Sequence, residues 1–357
     1  MEKKALVAMS GGVDSSVAAY LIREAGFETT GVTMRLYDNE TIGLDSAKTC
    51  CSLSSIEDAC SIANKLGIYY LVYDFREEFR EEVIRRFVDA YEHGMTPNPC
   101  IECNRYLKFD HLFACGKEIG QDYVVTGHYA IIEKDSGSGR YLLKKSVDLS
   151  KDQSYVLYPL TQEQLAHTLF PLGGMHKTET RQIAEEQGFI NAHKHDSQDI
   201  CFVPDGDYAG FIEHYTGKSY PAGHFVDADG NVLGEHRGII HYTIGQRKGL
   251  GLSLKKPMYV TELDTEKNEV VLGDNADLFT RELNAKDFNW IAMAAPSGDL
   301  RAKARIRYKH KEAPAQIIPT GPDTAKIIFD EPQRAITSGQ SVVLYDDDYV
   351  IGGGTIC

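Results

Sequence analysis

From residue 3 to about 130 the chain alternates short apolar runs with amphipathic stretches, and this alternation leaves few folds open. KKALVAM, ETTGVTMRLYD, IYYLVYDF and DYVVTGHYA are strand-like. Between them, SSVAAYLIREAGF puts Val17, Tyr20 and Leu21 on one helical face and ends near Gly26, and EEFREEVIRRFVDAYEHG predicts a long helix. SSIEDACSIANKLGI predicts another helix, with Ser55 and Asp58 spaced as a capping box. Strands that alternate with helices imply an α/β fold, a parallel sheet covered on both faces. Past residue 205 the pattern changes to short β-rich segments (GHFVD, NVLGE, MYVTEL, EVVLG) separated by turn signals such as Asp229-Gly230. From Phe288 onward WIAMA, RAKARIRY, PAQIIP, TAKIIF and QSVVLYD suggest a small barrel or sandwich. The expected division is an α/β domain over 1–205, a mostly β connector over 206–277 and a C-terminal β-barrel over 278–357.

At 357 residues two or three cores are feasible, and 42% hydrophobic with 25% charged residues excludes a disordered chain. No apolar run approaches the ~20 residues that span a bilayer. MEKKALVAMSGG reads as a first strand rather than a secretory signal, so a cytoplasmic protein with no membrane partner is expected. Eight cysteines are too sparse for a disulfide framework. A net charge of −14 argues against general affinity for polyanions, so a nucleic-acid partner requires a local basic surface.

Ser10-Gly11-Gly12-Val13-Asp14-Ser15-Ser16 stands directly after a predicted strand and before a predicted helix. Glycines allow close backbone approach, and a helix start presents N–H groups to an anion. Asp14 is of the right type to hold Mg²⁺ against phosphate oxygens. The loop has no Walker lysine. It resembles the PP-loop ATP pyrophosphatases, which cleave ATP between the α and β phosphates and so adenylate an acceptor oxygen.

Two further stretches carry reactive side chains. TPNPCIECN holds Cys100 and Cys103, which by spacing alone suit half a zinc site, a redox pair, cluster ligands or a nucleophile with its neighbour. HDSQDICFVP holds Cys201 among polar residues, a poor setting for a merely buried cysteine. Together with GHYA at 127–130, KDQSY at 151–155, SQDICF at 197–202, GEHRGI at 234–239, YTIGQRKGLG at 242–251 and SGQSVV at 338–343, these motifs resemble, in order, the tRNA-specific 2-thiouridylases. Such enzymes replace the 2-oxygen of the wobble uridine with sulfur.

The resemblance implies a transferase using ATP, with Ala8, Met9, Ser10, Gly11, Gly12, Val13, Asp14 and Ser15 at the nucleotide and Met34 and Gly127 beside the adenosine. Read alone, Met34 is strand core and Gly127 a turn glycine. It implies Cys103 and Cys201 as catalytic cysteines, Cys201 carrying a persulfide and Cys103 forming a disulfide with it as sulfur leaves. Asn98, Pro99 and Cys100 would face the target base. His128, Lys151, Asp152, Gln153, Arg307, Tyr308 and Gln340 would touch tRNA, and a sulfur-relay protein or cysteine desulfurase would load Cys201. The chain departs from the family pattern at Cys100, where aspartate is usual. Cys100, Cys103 and Cys201 then offer three thiolates, enough for a [4Fe–4S] cluster of the kind related tRNA thiolases bind. Both sulfur chemistries stay open at this point.

In RAKARIRYKHK, Arg301, Lys303, Arg305, Arg307, Lys309 and Lys311 occupy every second position, which on a strand sets six cations on one face. Contact with an RNA backbone would neutralise them; a solvated edge strand is the plainer alternative. Arg247, Lys248, Lys255 and Lys256 extend the basic surface. Two other functions remain: a PP-loop ligase delivering ammonia or an amine, which needs no cysteine, and a zinc-stabilised RNA-binding module on Cys50, Cys51, Cys100 and Cys103.

Overall fold

The computed structural model describes residues 3–38, 40–42, 53–196 and 200–357; Cys50, Cys51, Ser197, Gln198 and Asp199 lie outside them. Strands β1 (Lys4–Ala8), β2 (Glu28–Arg35), β3 (Tyr69–Asp74) and β4 (Tyr123–Val125) form a parallel sheet. Strands β5 (Ala130–Lys134) and β6 (Tyr141–Lys145) leave it for another sheet, and β7 (Thr168–Leu169) returns to its edge, giving the order β3-β2-β1-β4-β7. Both faces of β1 are buried: Leu6 joins one core, Ala5 and Val7 the other. A run without polar alternation therefore becomes a central strand. The strand order reverses between β1 and β4, and ligands of open α/β sheets bind at such a crevice, beyond the strands' carboxyl ends.

Helix α1 (Val13–Glu24) follows β1 and helix α2 (Leu53–Leu66) precedes β3. Ser55 lies inside α2 instead of capping it, so the predicted capping box is absent; its buried hydroxyl accepts from Lys194 Nζ at 3.2 Å. The single strand expected over DYVVTGHYA is two, broken at residues 126–129, because β4 belongs to the parallel sheet and β5 to the barrel. WIAMA is not a strand of its own: Trp290 ends the strand Phe279–Trp290, and residues 291–294 lie outside it.

In the middle of the chain β8 (Gly223–Val226), β9 (Val232–His236), β10 (Tyr259–Asp264) and β11 (Glu269–Gly273) make a sheet of order β10-β11-β8-β9. Its inner residues Phe225, Val260 and Val270 share a core with Phe79, Phe87 and Phe202 of the first domain. Strands β12 (Phe279–Trp290), β13 (Leu300–Arg305), β14 (Ala313–Gly321), β15 (Thr324–Arg334), β16 (Ser341–Asp346) and β17 (Tyr349–Ile356) form a six-stranded antiparallel barrel, closed by pairing of β12 with β17. Closure removes the free edges that would otherwise invite association. The hairpin β5–β6 continues this sheet from β17, so one sheet crosses the boundary between the first domain and the barrel. Among the described residues no helix is long and apolar enough to cross a membrane.

Two packing features bear on function. The helix over 99–118 lies between two cores, with Leu107 and Leu112 in one and Ile101 and Phe109 in the other. It widens to a π helix over Cys103–His111, a geometry often found at functional sites. Asn104, 1% exposed, donates from Nδ2 to the Val156 carbonyl at 2.9 Å and accepts from Lys108 Nζ at 2.9 Å, tying that helix to the turn that docks the barrel. In the second feature, Asp152 is buried between first domain and barrel, where it accepts from Ser146 N, Ser154 N and Ser154 Oγ at 3.2, 3.2 and 2.8 Å. Burial raises its pKa despite these bonds, and Arg305 Nη1 from β13 stands 3.7 Å away as the compensating charge.

Replacing Asn104 by Ala is expected to lower unfolding stability by about 1–3 kcal/mol, the cost of an orphaned buried carbonyl. Arg305→Ala is expected to lose about 3 kcal/mol, because it strands the Asp152 carboxylate, and Asp152→Asn in the same chain should recover part of that. Urea unfolding of the four proteins checks both; an Arg305→Ala variant as stable as the parent would refute the domain-bridging role.

Candidate active site

The loop between β1 and α1 is shaped by contacts on every side. Gly11 has φ +71°, and a Cβ there would lie 2.3 Å from the Ser55 carbonyl oxygen, so only glycine fits between loop and α2. The loop carbonyls are turned inward: Gly12 O accepts from Ser15 Oγ (3.0 Å) and Ser16 Oγ (2.9 Å), and Gly11 O accepts from Asn191 Nδ2 (3.0 Å) and Lys194 Nζ (3.3 Å). Ser10 N donates to Ser15 Oγ at 3.1 Å. No side chain caps α1 at Gly12, so its first N–H groups remain available to an anion. Across the crevice, Gly127 follows β4, and a Cβ on it would come within 2.7 Å of the Asp14 backbone. Its lack of a side chain lets the end of β4 lie against the start of α1. Met34, half-buried at the end of β2, packs on the first core, in keeping with its strand reading.

Asp14 was expected to hold Mg²⁺. Its carboxylate instead accepts from Lys177 Nζ at 2.7 and 2.8 Å and from the Tyr129 hydroxyl at 2.9 Å. Burial, then the neighbouring Asp14 charge, raises the Tyr129 pKa, so this hydroxyl stays a donor. With an ammonium already chelated there, the residues present do not fit a metal ion at this carboxylate. Lys177 also lies 2.7 Å from Asp196, which is bound as well by Arg181 (2.9 Å) and Lys151 (2.7 Å). Burial alone would raise the Asp196 pKa, but hydrogen bonds from Lys151 and Lys177 outweigh it and hold the group down at about 2. Tyr129, Lys177, Arg181, Asn191, Lys194 and Asp196 are the functional neighbourhood that sequence reasoning missed. The signal available was the crowding of all but Tyr129 into one stretch, 177–196, just ahead of Cys201.

The opening of TPNPCIECN is a helix start. Asn98 accepts from Cys100 N at 3.2 Å as the N-cap and Pro99 occupies the first turn. Cys100 is exposed, whereas Cys103 and Cys201 are half-buried and pack against the same aromatic core, which includes Phe79, Phe87 and Phe202. The Cys201 carbonyl accepts from the Tyr37 hydroxyl at 2.7 Å. Among the described residues no group of three or more His, Cys, Asp or Glu side chains could hold a metal ion, so Cys100, Cys103 and Cys201 do not form a ready-made cluster site. The alternative zinc set includes Cys50 and Cys51, outside the described residues.

The residues expected to touch tRNA mostly have internal partners. His128 is 7% exposed, with Nδ1 2.7 Å from Thr126 Oγ1 and its ring between Phe109 and Phe170; burial lowers its pKa. Gln153 Oε1 accepts from Tyr129 N at 3.0 Å, and Asp152 is the buried domain bridge. Gln340 Nε2 donates to the Thr96 carbonyl at 2.8 Å while Thr96 N donates to Ser338 O at 2.9 Å, so the barrel holds the segment leading to Asn98. The Tyr308 hydroxyl donates to Asp152 O at 3.0 Å.

The six-cation face is not formed, because β13 ends at Arg305. Arg301 pairs with Asp330 and Lys303 with Asp347, at 2.8 and 3.2 Å. Arg305 turns inward to Asp152 and donates to Tyr308 O. Arg307 lies beyond the strand, half-buried beside the Ala335 carbonyl at 3.5 Å.

Comparison with known proteins places the whole chain in a family. Residues 3–205 match the family described as tRNA methyl transferase HUP domain, 209–274 its PRC-barrel domain, and 280–356 the aminomethyltransferase beta-barrel domain. The chain is 55% identical to the tRNA-specific 2-thiouridylase MnmA of Clostridioides difficile, over 100% of this chain and 98% of the relative. It is 53% identical to that of Acetivibrio thermocellus, over 99% of both. A distant structural likeness, TM-score 0.38 at 20% identity over 60% of this chain and 53% of the other, is to a 4-thiouridine synthetase in complex with RNA and ATP. With relatives this similar along their whole length, the chain belongs to the tRNA-specific 2-thiouridylase family.

Proposed function

We propose that this protein performs the reaction its family is named for, replacing the 2-oxygen of the wobble uridine in tRNA by sulfur at the expense of ATP. The observation that carries the reading is the common setting of its parts. A lysine-free phosphate loop opens at the β1/β4 crevice, and Cys103 and Cys201, brought from distant segments, border one core beside that domain's sheet.

The uridine C2 is urea-like and resists attack. The 2-oxygen first attacks the α phosphorus of ATP; a P–O bond forms, the bond to the β phosphate breaks, and pyrophosphate leaves. The uncapped start of α1 favours negative charge on the triphosphate. Cys201 carries a persulfide loaded by a sulfur-relay protein or a cysteine desulfurase. Its terminal sulfur attacks C2, and Cys103 thiolate attacks Cys201 Sγ. The S–S electron pair stays with the transferred sulfur, AMP departs from C2, and a Cys103–Cys201 disulfide remains. A dithiol reductant then restores both cysteines. Asn98, Pro99 and Cys100 face the target base, in a segment steadied by Gln340. The internal bonds of Lys151, Asp152 and Gln153 give that motif a positioning role beside its expected contact with tRNA.

With tRNA and a sulfur source the protein is expected to release AMP and pyrophosphate in equal amounts; ADP and orthophosphate as products would refute the reading. Cys201→Ser is expected to abolish thiolation of tRNA, and Cys103→Ser to leave a persulfide on Cys201 that mass spectrometry detects as one added sulfur. Full thiolation by either variant would remove that cysteine from the reaction. Arg307→Ala is expected to flatten the logarithmic salt dependence of tRNA binding by about one unit, as loss of one phosphate contact should. An unchanged slope in filter binding would place Arg307 outside the interface.

A further inference from the structure

Lys177 has no place in the chemistry above, although its ammonium is the best-held charge near the phosphate loop. Its side chain is 9% exposed and reaches both oxygens of Asp14, at 2.7 and 2.8 Å, and Asp196 at 2.7 Å. Asp14 lies in the first turn of α1, so this ammonium stands at the uncapped helix start. Among the described residues, the side chains of Lys151, Lys177 and Arg181 pair with Asp14 and Asp196, three cations to two carboxylates, and the Asp148 carboxylate accepts from Lys177 N at 3.0 Å. Nearby, Lys194 is paired with Asp58 at 3.0 Å. A buried ammonium needs anionic partners, and cations gathered at a phosphate loop suit an anion that arrives later.

We propose that Lys177 is the protein's own cation for the triphosphate, and that Asp14 serves as its anchor instead of as a magnesium ligand. An ammonium has three N–H donors. Two of the acceptors of Lys177 are oxygens of one carboxylate, so one bond to Asp14 exchanges for a phosphate oxygen while the other and the bond to Asp196 persist. A lysine supplied 163 residues away in sequence does what a Walker loop obtains from the lysine inside its own motif. The same ammonium ties the loop to Asp196, which stands five residues before Cys201 in the sequence.

The inference rests on the ATP-using reading, and the experiment separates the two. Calorimetric titration of the full chain with ATP in excess EDTA measures affinity without any divalent metal. Lys177→Met is expected to weaken this binding by roughly tenfold or more, Lys177→Arg to restore it to within about threefold, and AMP affinity to change by less than about twofold in both. Asp14→Asn is expected to weaken metal-free ATP binding like Lys177→Met and, in the double variant, to add nothing further. Metal-free ATP binding by Lys177→Met as tight as that of the parent would overturn the proposal. So would an equal loss of AMP affinity, which would mark a purely structural lysine, or additive effects of the two substitutions. Failure of the parent protein to form AMP and pyrophosphate with tRNA would strike the functional reading itself.

Discussion

The buried ammonium of Lys177 joins parts of the first domain that lie far apart in sequence. It binds the first turn of α1 through Asp14 and the approach to Cys201 through Asp196, and Asp196 in turn holds Lys151 and Arg181. A charge taken out of water, as that of Lys177 is, is tolerated only when paired and hydrogen-bonded, so the ammonium constrains the positions of its two carboxylates. The phosphate loop, the turn beginning at Lys151 and Asp196 are therefore linked as one unit. Gly127 and Gly11 complete it by removing the side chains that would keep β4 and α2 away from the loop.

The helix over 99–118 is placed by a different force. Apolar side chains on two of its faces enter two cores, one shared with the middle domain and one with the barrel. Burial of this kind is non-directional, and polar contacts supply the register: Asn104 to Val156, and Gln340 and Ser338 to Thr96. The barrel is thus more than an appended module. Its loop at 338–340 fixes the approach to Asn98, and its inward Arg305 meets the Asp152 carboxylate of the first domain.

Several residues that resemblance assigns to tRNA contact turn out to be held from within. His128 is enclosed by Phe109 and Phe170, Gln153 closes the turn at Tyr129, and the basic run from Arg301 is split by acidic partners and by the end of its strand. Period-two spacing states which side chains could share a face, but only if the strand continues. Here it stops at Arg305, and Asp330 on β15 and Asp347 in the β16–β17 turn neutralise what the run alone would present.

Local sequence was enough for the parallel-sheet class and for the strand–loop–helix around Ser10 to Ser16, which follow from periodicity and from interactions a few residues apart. Cys103 and Cys201 became candidates through resemblance to a family, and the N-cap at Asn98 came from the structure. The break at 126–129, the closure of the barrel, the partners of Asp14 and the internal roles of Asp152 and Gln340 were not legible. They arise from contacts between residues separated by tens to hundreds of positions, chosen by which cores close and which buried charges need a counter-charge. The sequence by itself determined which chemical groups the protein carries and the loop that meets phosphate. Tertiary structure decided that Lys177 completes that loop, because a buried ammonium is too costly to leave unpaired.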